Sequence, residues 1–124
     1  MLIYCTSISG NISILSNLLS LKIIWLGYND IYGNIESLSN FPVIERIDLR
    51  GLPNLTGSID SLSNLLSTAY WIELTDSPNI TGDISIFANY PDITVIALNN
   101  CPNISGSVNS LANITKLTQV FVNT

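Results

Sequence analysis

The sequence contains no histidine, and that absence removes the usual general base, the commonest metal ligand and every Ser-His or Cys-His arrangement. Basic residues are nearly as scarce. Lys22, Arg46, Arg50 and Lys116 stand against nine acids, for a formal charge of -5. So thin a scatter cannot neutralise a run of phosphates, which argues against nucleic acid as a partner. Charged residues make up 10% of the chain, where about 25% is ordinary; Asn, Ser and Thr take their place and suit hydrogen-bonded turns. Long hydrophobic runs are also missing. The longest apolar stretch, Leu18 to Leu26, is broken by Ser20 and Lys22 and falls far short of the roughly 20 residues a membrane span needs. The start, Met1 to Thr6, has neither a basic flank nor an apolar core leading to a small-residue cleavage site, so it does not read as a signal peptide. At 124 residues the chain has the length of one domain.

What is present is repetition. Gly-x-Ile/Val recurs at Gly10, Gly33, Gly57, Gly82 and Gly106, with spacings of 23, 24, 25 and 24. Asn17, Asn40, Asn64, Asn89 and Asn113 each follow one of these glycines by seven residues. Apolar-x-apolar pairs keep the same step at Ile24/Leu26, Ile47/Leu49, Ile72/Leu74, Ile96/Leu98 and Val120/Val122, with Met1/Ile3 as a truncated first copy. Three markers in one register predict a solenoid of about five coils spanning 1–124 as a single unit.

One unit, Leu18 to Leu38, reads L-x-x-L-x-x-I-x-L-x-x-N-x-I-x-G-x-I-x-x-L through Leu18, Leu21, Ile24, Leu26, Asn29, Ile31, Gly33, Ile35 and Leu38. This resembles the leucine-rich repeat family over essentially the whole chain, and most of all its plant-type subclass. The proline that subclass places after Gly-x-Ile is replaced by Glu36, Asp60, Ser85 and Asn109. The resemblance implies an α/β repeat solenoid with one parallel β-sheet on the concave face and short 3₁₀, helical or irregular convex segments. It also implies an extracellular or surface-exposed setting.

The period-two pair Ile47/Leu49 sends both side chains inward and leaves Asp48 on the other face. Apolar residues three apart, as in Ile35, Leu38 and Phe41, predict short 3₁₀ turns opposite the strands. Asn54, Asn79 and Asn103 are expected to turn inward and satisfy backbone groups, as the family's asparagine does. Glycine then permits the tight return. A parallel β-helix is the rival fold, but it has no need of the L-x-x-L-x-x-I-x-L progression. One extra residue between Asn64 and Ile72 predicts a bulge over Leu66 to Tyr70, with Ala69 in a leucine position. The ends look uncapped, so end-to-end self-association is a further expectation.

If the family's concave sheet is the binding face, its outward columns are Leu2, Trp25, Asp48, Glu73, Ala97 and Phe121, and Ile23, Arg46, Trp71, Val95 and Gln119. Two more begin with Tyr4, Gly27, Arg50, Thr75 and Asn99, and with Cys5, Tyr28, Gly51, Asp76 and Asn100. Aromatic residues and arginine dominate interface energetics. Trp25, Tyr28, Arg46, Arg50 and Trp71 therefore form the candidate hot spot, with Ile23 beside them and Asp48, Glu73 and Asp76 as charged companions. The plainer account is cross-strand packing, with Arg46 paired to Asp48 or Glu73.

Catalysis would rest on Asp48 and Glu73, neighbours in one column about 4.8 Å apart, though two solvated carboxylates on a polar face explain them as well. No metal-ligand or cofactor motif occurs. Cys5 and Cys101 fall four coils apart, roughly 19 Å, beyond disulfide reach, and a lone thiol on an exposed turn is ordinarily inert. Asn11, Asn54, Asn79, Asn103 and Asn113 begin N-x-[ST] triplets, of which the turn asparagines should be poorly available. Two functions remain: a non-catalytic binding module offering its concave face to a protein or glycan, and a structural spacer that assembles end to end.

Overall fold

The computed structural model of the protein describes residues 8–65 and 68–122. Ten short strands run through them: β1 (Ser9–Asn11), β2 (Ile23–Trp25), β3 (Asp30–Asn34), β4 (Arg46–Asp48), β5 (Leu55–Ser58), β6 (Trp71–Glu73), β7 (Ile80–Asp83), β8 (Val95–Ala97), β9 (Ile104–Ser105) and β10 (Gln119–Phe121). They form two parallel five-stranded sheets, β10-β8-β6-β4-β2 and β1-β3-β5-β7-β9. Each coil contributes one strand to each sheet and closes through a 3₁₀ turn on its third side, as over Ile35–Leu38 or Ile84–Asn89. The result is an α/β repeat solenoid; the expected sheet through the apolar-x-apolar pairs is joined by a second.

The first sheet keeps the repeat register, with Ile24 opposite Ile47, Ile47 opposite Ile72, Ile72 opposite Ile96 and Ile96 opposite Val120. Stacking in register turns each repeated apolar position into a buried column, because no coil can bury its apolar side chains alone. Ile24, Ile47, Ile72 and Ile96 make one column; Ile12, Ile35, Ile59 and Ile84 make another; Leu38, Leu62, Phe87 and Leu111 a third. Each such side chain removed from water contributes about 1.5–3 kcal/mol. Ala69 is fully buried in line with Ile44 and Ile93, as its leucine position predicts. The bulge expected over Leu66 to Tyr70 falls partly on Leu66 and Ser67, outside the described residues, as do Met1/Ile3, Leu2, Tyr4 and Cys5.

The second sheet is offset. Gly33 pairs with Leu55, Gly57 with Ile80 and Gly82 with Ile104, each partner two residues short of the next repeat's glycine. The stagger sets Gly33, Gly57, Gly82 and Gly106 against Asn11, Asn34, Ser58 and Asp83, the residues that follow the glycine of the preceding coil. A Cβ on Gly33 would lie 2.5 Å from Asn11 Oδ1, and one on Gly106 would lie 2.6 Å from Asp83 Oδ1. Those facing residues cap the 3₁₀ turns: Asn11, Asn34, Ser58, Asp83 and Ser107 accept from the backbone N–H of Ser13, Glu36, Asp60, Ser85 and Asn109 at 2.8–3.2 Å. Asn, Asp and Ser are the side chains best suited to that role. Glycine is therefore required for clearance between coils as well as for its backbone conformation.

The turn asparagines do not behave as the family pattern implies. Asn54, Asn79 and Asn103 are exposed, and the amides of Asn79 and Asn103 donate outward to the carbonyls of Pro53 and Pro78 in the preceding coil, at 2.6 and 2.7 Å. The inward position, five residues after the strand isoleucine, belongs to Asn29, Leu52, Ser77 and Cys101. Asn29 donates to the carbonyls of Leu26 and Gly27; Ser77 Oγ donates to Leu49 O at 3.2 Å and Cys101 Sγ to Leu74 O at 3.0 Å. The three coils with a Pro-Asn turn carry one residue more than the Asn29 coil, a residue that the repeat pattern places before the asparagine; it lies instead after the inward position, in turns such as Leu52-Pro53-Asn54-Leu55. Leu55 N–H closes that turn on Leu52 O at 3.2 Å, and proline at the second place presets its φ. Cys101 is thus a buried thiol and not a group on an exposed turn.

Candidate functional site

The outward residues of the first sheet gather into one charged and aromatic cluster centred on Asp48, which is fully buried. Alternation along β4 places Asp48 on the outer side, and Arg46 and Arg50 of its own coil close over it. Arg50 Nε donates to Asp48 Oδ1 at 2.9 Å and its Nη2 to Oδ2 at 2.5 Å. Arg50 also pairs with Glu73 at 3.2 Å, and Arg46 reaches Asp48 Oδ2 at 3.3 Å. Charge-assisted contacts of this fork type are among the stronger hydrogen bonds in proteins. Two arginines and two carboxylates balance within the cluster.

Arg46 occupies a slot between the two tryptophans. Its guanidinium carbon lies 4.0 Å from the Trp71 ring centroid and 5.0 Å from that of Trp25, both within the range of cation–π attraction. Trp71 is fixed in turn by its indole N–H, which donates to Glu73 Oε2 at 3.3 Å. Glycine makes room for the rest. A Cβ on Gly27 would sit 2.9 Å from Arg50 Cγ, and one on Gly51 would sit 2.5 Å from Tyr28 Cδ1. The missing side chains let Arg50 and Tyr28 lie across the neighbouring coil.

Of the nine residues singled out from the sequence, six thus form a connected network: Trp25, Arg46, Asp48, Arg50, Trp71 and Glu73. The cross-strand packing account describes the inner part of this set, since Asp48 and Glu73 are buried beneath the arginines. Arg50 bridges the two carboxylates that catalysis would have required. Of the nine, Ile23, Trp25 and Tyr28 remain open as a strip at one edge, 53%, 47% and 40% exposed, while Phe121 is 44% exposed at the opposite edge of the same sheet. Asp76 stands apart in a turn beyond the strand, at φ 61°, with its carboxylate held by Asn100 Nδ2 at 2.6 Å. Sequence columns identified the members of the cluster but not its buried centre, because strand alternation says only that Asp48 points outward. Further along the same face Val95 and Ala97 are buried as well.

Among the described residues no group of three or more His, Cys, Asp or Glu could hold a metal ion, and no helix is long and apolar enough to cross a membrane.

No protein-family model matches the sequence, and no curated protein matches it. Among solved structures the chain is similar to internalin C2 from Listeria monocytogenes, with 18% identity and a TM-score of 0.36, over 97% of this chain and 78% of that one. It is also similar to an internalin, inlF, from the same organism, with 21% identity and a TM-score of 0.37, over 97% of this chain and 46% of that one. The chain therefore spans about half the length of the latter. Register, stacked columns and 3₁₀ closures within the molecule itself identify the fold: the chain is an α/β repeat solenoid built on two parallel sheets.

Proposed function

We propose that the chain is a non-catalytic binding module whose first sheet, the concave face of the repeat, receives a protein partner at the strip Ile23, Trp25 and Tyr28. The observation that carries this reading is an adjacency: Ile23, Trp25 and Tyr28 are 40–53% exposed directly beside a charge cluster that is already neutralised and held in place. Aromatic side chains seated on a rigid sheet bring contact area at little cost in side-chain entropy, and Trp and Tyr are enriched among residues that dominate interfaces. Arg46 and Trp71 act as a brace that fixes the inner face of Trp25. Because the cluster balances its own charge, apolar burial rather than long-range attraction would drive association.

A displayed peptide library selected against the wild-type chain tests this. Binders lost on Trp25→Ala and on Tyr28→Ala, with circular dichroism unchanged, are the expected result; binders indifferent to both substitutions would place the contact elsewhere. A glycan array run in parallel separates a carbohydrate partner, which could stack on the Trp25 ring, from a protein one.

A further inference from the structure

A second surface lies outside the aromatic cluster. Gly51, Asp76 and Asn100 form one ridge and Pro53, Pro78 and Pro102 another, and between them runs an open trough of about 510 Å³. The ridges follow from the turn chemistry. Asp76 and Asn100 adopt left-handed φ of 61° and 56°, and Gly51 of 68°. The next residue in each coil, Leu52, Ser77 or Cys101, is buried, and the proline after it comes out again. These three coils repeat the step, so the trough runs along the solenoid axis over three coils.

Two features restrict what can lie there. Part of the backbone of the walls is already committed: Gly51 N–H donates to Thr75 O at 2.7 Å and Asp76 N–H to Asn99 O at 2.8 Å, while the carbonyls of Pro53 and Pro78 accept from Asn79 and Asn103. An added β-strand, which needs main-chain partners, would have to compete for these four groups. A ligand with few backbone donors fits better, and a proline-rich segment, which favours the polyproline II conformation, lacks the N–H at each proline. Its pitch also matches. Three residues at about 3.1 Å each give a turn of about 9.3 Å, and two coil steps of about 4.8 Å give about 9.6 Å, so one turn spans the trough. The second feature is charge. Asp76 sits at the middle of its ridge with its carboxylate oriented by Asn100, and among the described residues no basic side chain forms an ion pair with it.

We propose that this trough binds a proline-rich peptide in the polyproline II conformation, with a basic side chain opposite Asp76. It is a site separate from the Trp25 strip, and each can exist without the other.

The test uses fluorescence anisotropy with a short fluorescein-labelled oligoproline carrying one central arginine. Two companions are a version with glutamate in place of that arginine and a Gly/Ser peptide with the same arginine. Saturable binding of the first peptide is expected, with both companions at least about tenfold weaker, the loss of one charge-assisted contact or of preorganisation. Asp76→Asn should weaken the arginine peptide about tenfold, and Pro102→Lys, at an exposed position, should weaken it further by removing a ring and repelling the cation. Trp25→Ala should leave binding unchanged. Circular dichroism of each variant checks the fold. No saturable binding, equal binding of the Gly/Ser peptide, indifference to both Asp76→Asn and Pro102→Lys, or loss on Trp25→Ala would each overturn the proposal.

Discussion

Arg50 closes over Asp48 with both arms of its fork, Nε to Oδ1 and Nη2 to Oδ2, on a face where Asp48 has no exposed surface left. Asp48→Ala would leave two arginines without their main acceptor. Both are partly exposed and can turn toward water, so the expected destabilisation is about 1–3 kcal/mol rather than the larger cost of a charge stranded in a dry core. Urea unfolding monitored by circular dichroism measures it. A smaller second effect is expected in a variant that already lacks Arg50, since the two side chains share one interaction.

The two tryptophans should separate. Trp71 is half-buried, lies closer to Arg46 and is bonded to Glu73, so Trp71→Ala is expected to cost about 2–3 kcal/mol. Trp25 is nearly half exposed, and Trp25→Ala should cost about 1 kcal/mol or less. Equal losses in urea midpoint would show that both rings serve the fold alike and would remove Trp25 as a selective binding probe.

The glycines of the second sheet answer to the caps they face. Gly57 has φ 108°, and a Cβ there would press on the Asn34 amide. Gly57→Ala should cost about 2 kcal/mol or more, and Asn34→Ala about 1 kcal/mol for the lost cap. Removing the amide also removes the obstacle, so the double substitution should cost less than the sum, as a double-mutant cycle reads directly.

Acid should reach one of these caps. Hydrogen bonds from the backbone N–H and then the side chain of Ser85 hold the Asp83 carboxyl below its ordinary value. A depressed carboxyl stabilises the fold above its unfolded value of about 3.9, and that contribution is lost as pH falls through the lower folded value. Asp83→Asn keeps an oxygen acceptor without the titration. The wild type should therefore lose more stability than this variant as pH is lowered from about 6 through and below the ordinary carboxyl value of about 3.9. Parallel pH dependences would show that the cap does not depend on charge.

Cys101 offers a probe of the stacked inward column. Burial pushes its thiol up, outweighing the backbone hydrogen bond at Ser77 that lowers it. In a Cys5→Ser background the remaining thiol should react slowly with a disulfide reagent in the native state and promptly in urea, because the protonated, buried form is a poor nucleophile. Prompt reaction without denaturant would mean that the coil opens locally.

The inward columns were legible in the sequence because Ile24, Ile47, Ile72 and Ile96 repeat one chemistry at one step. The second sheet was less so. Its Leu-Thr-Gly and Ile-Thr-Gly segments alternate like strands, but the glycine at their centre reads first as a turn. The residue after each glycine was a missed signal: Asn, Asn, Ser, Asp and Ser in succession are all helix-capping side chains. The asparagine of the Pro-Asn turns misled for a different reason. A single residue of slack can fall on either side of the inward position, and Ser77 and Cys101 do not announce themselves as substitutes for asparagine. At the candidate site the columns placed Trp25, Arg46 and Trp71 on one face, whereas the burial of Asp48 depends on which rotamers the arginines adopt, and no periodicity carries that.

The two-residue stagger of the second sheet also decides how this molecule can be lengthened or rearranged. A segment cut from one glycine to the next would separate a capping side chain from the glycine shaped to receive it. The transferable module runs instead from a cap to the following glycine, such as Asn34 through Gly57. Grafts that respect that boundary carry their own clearance with them, and grafts that ignore it bring together a cap and a neighbour never fitted to each other.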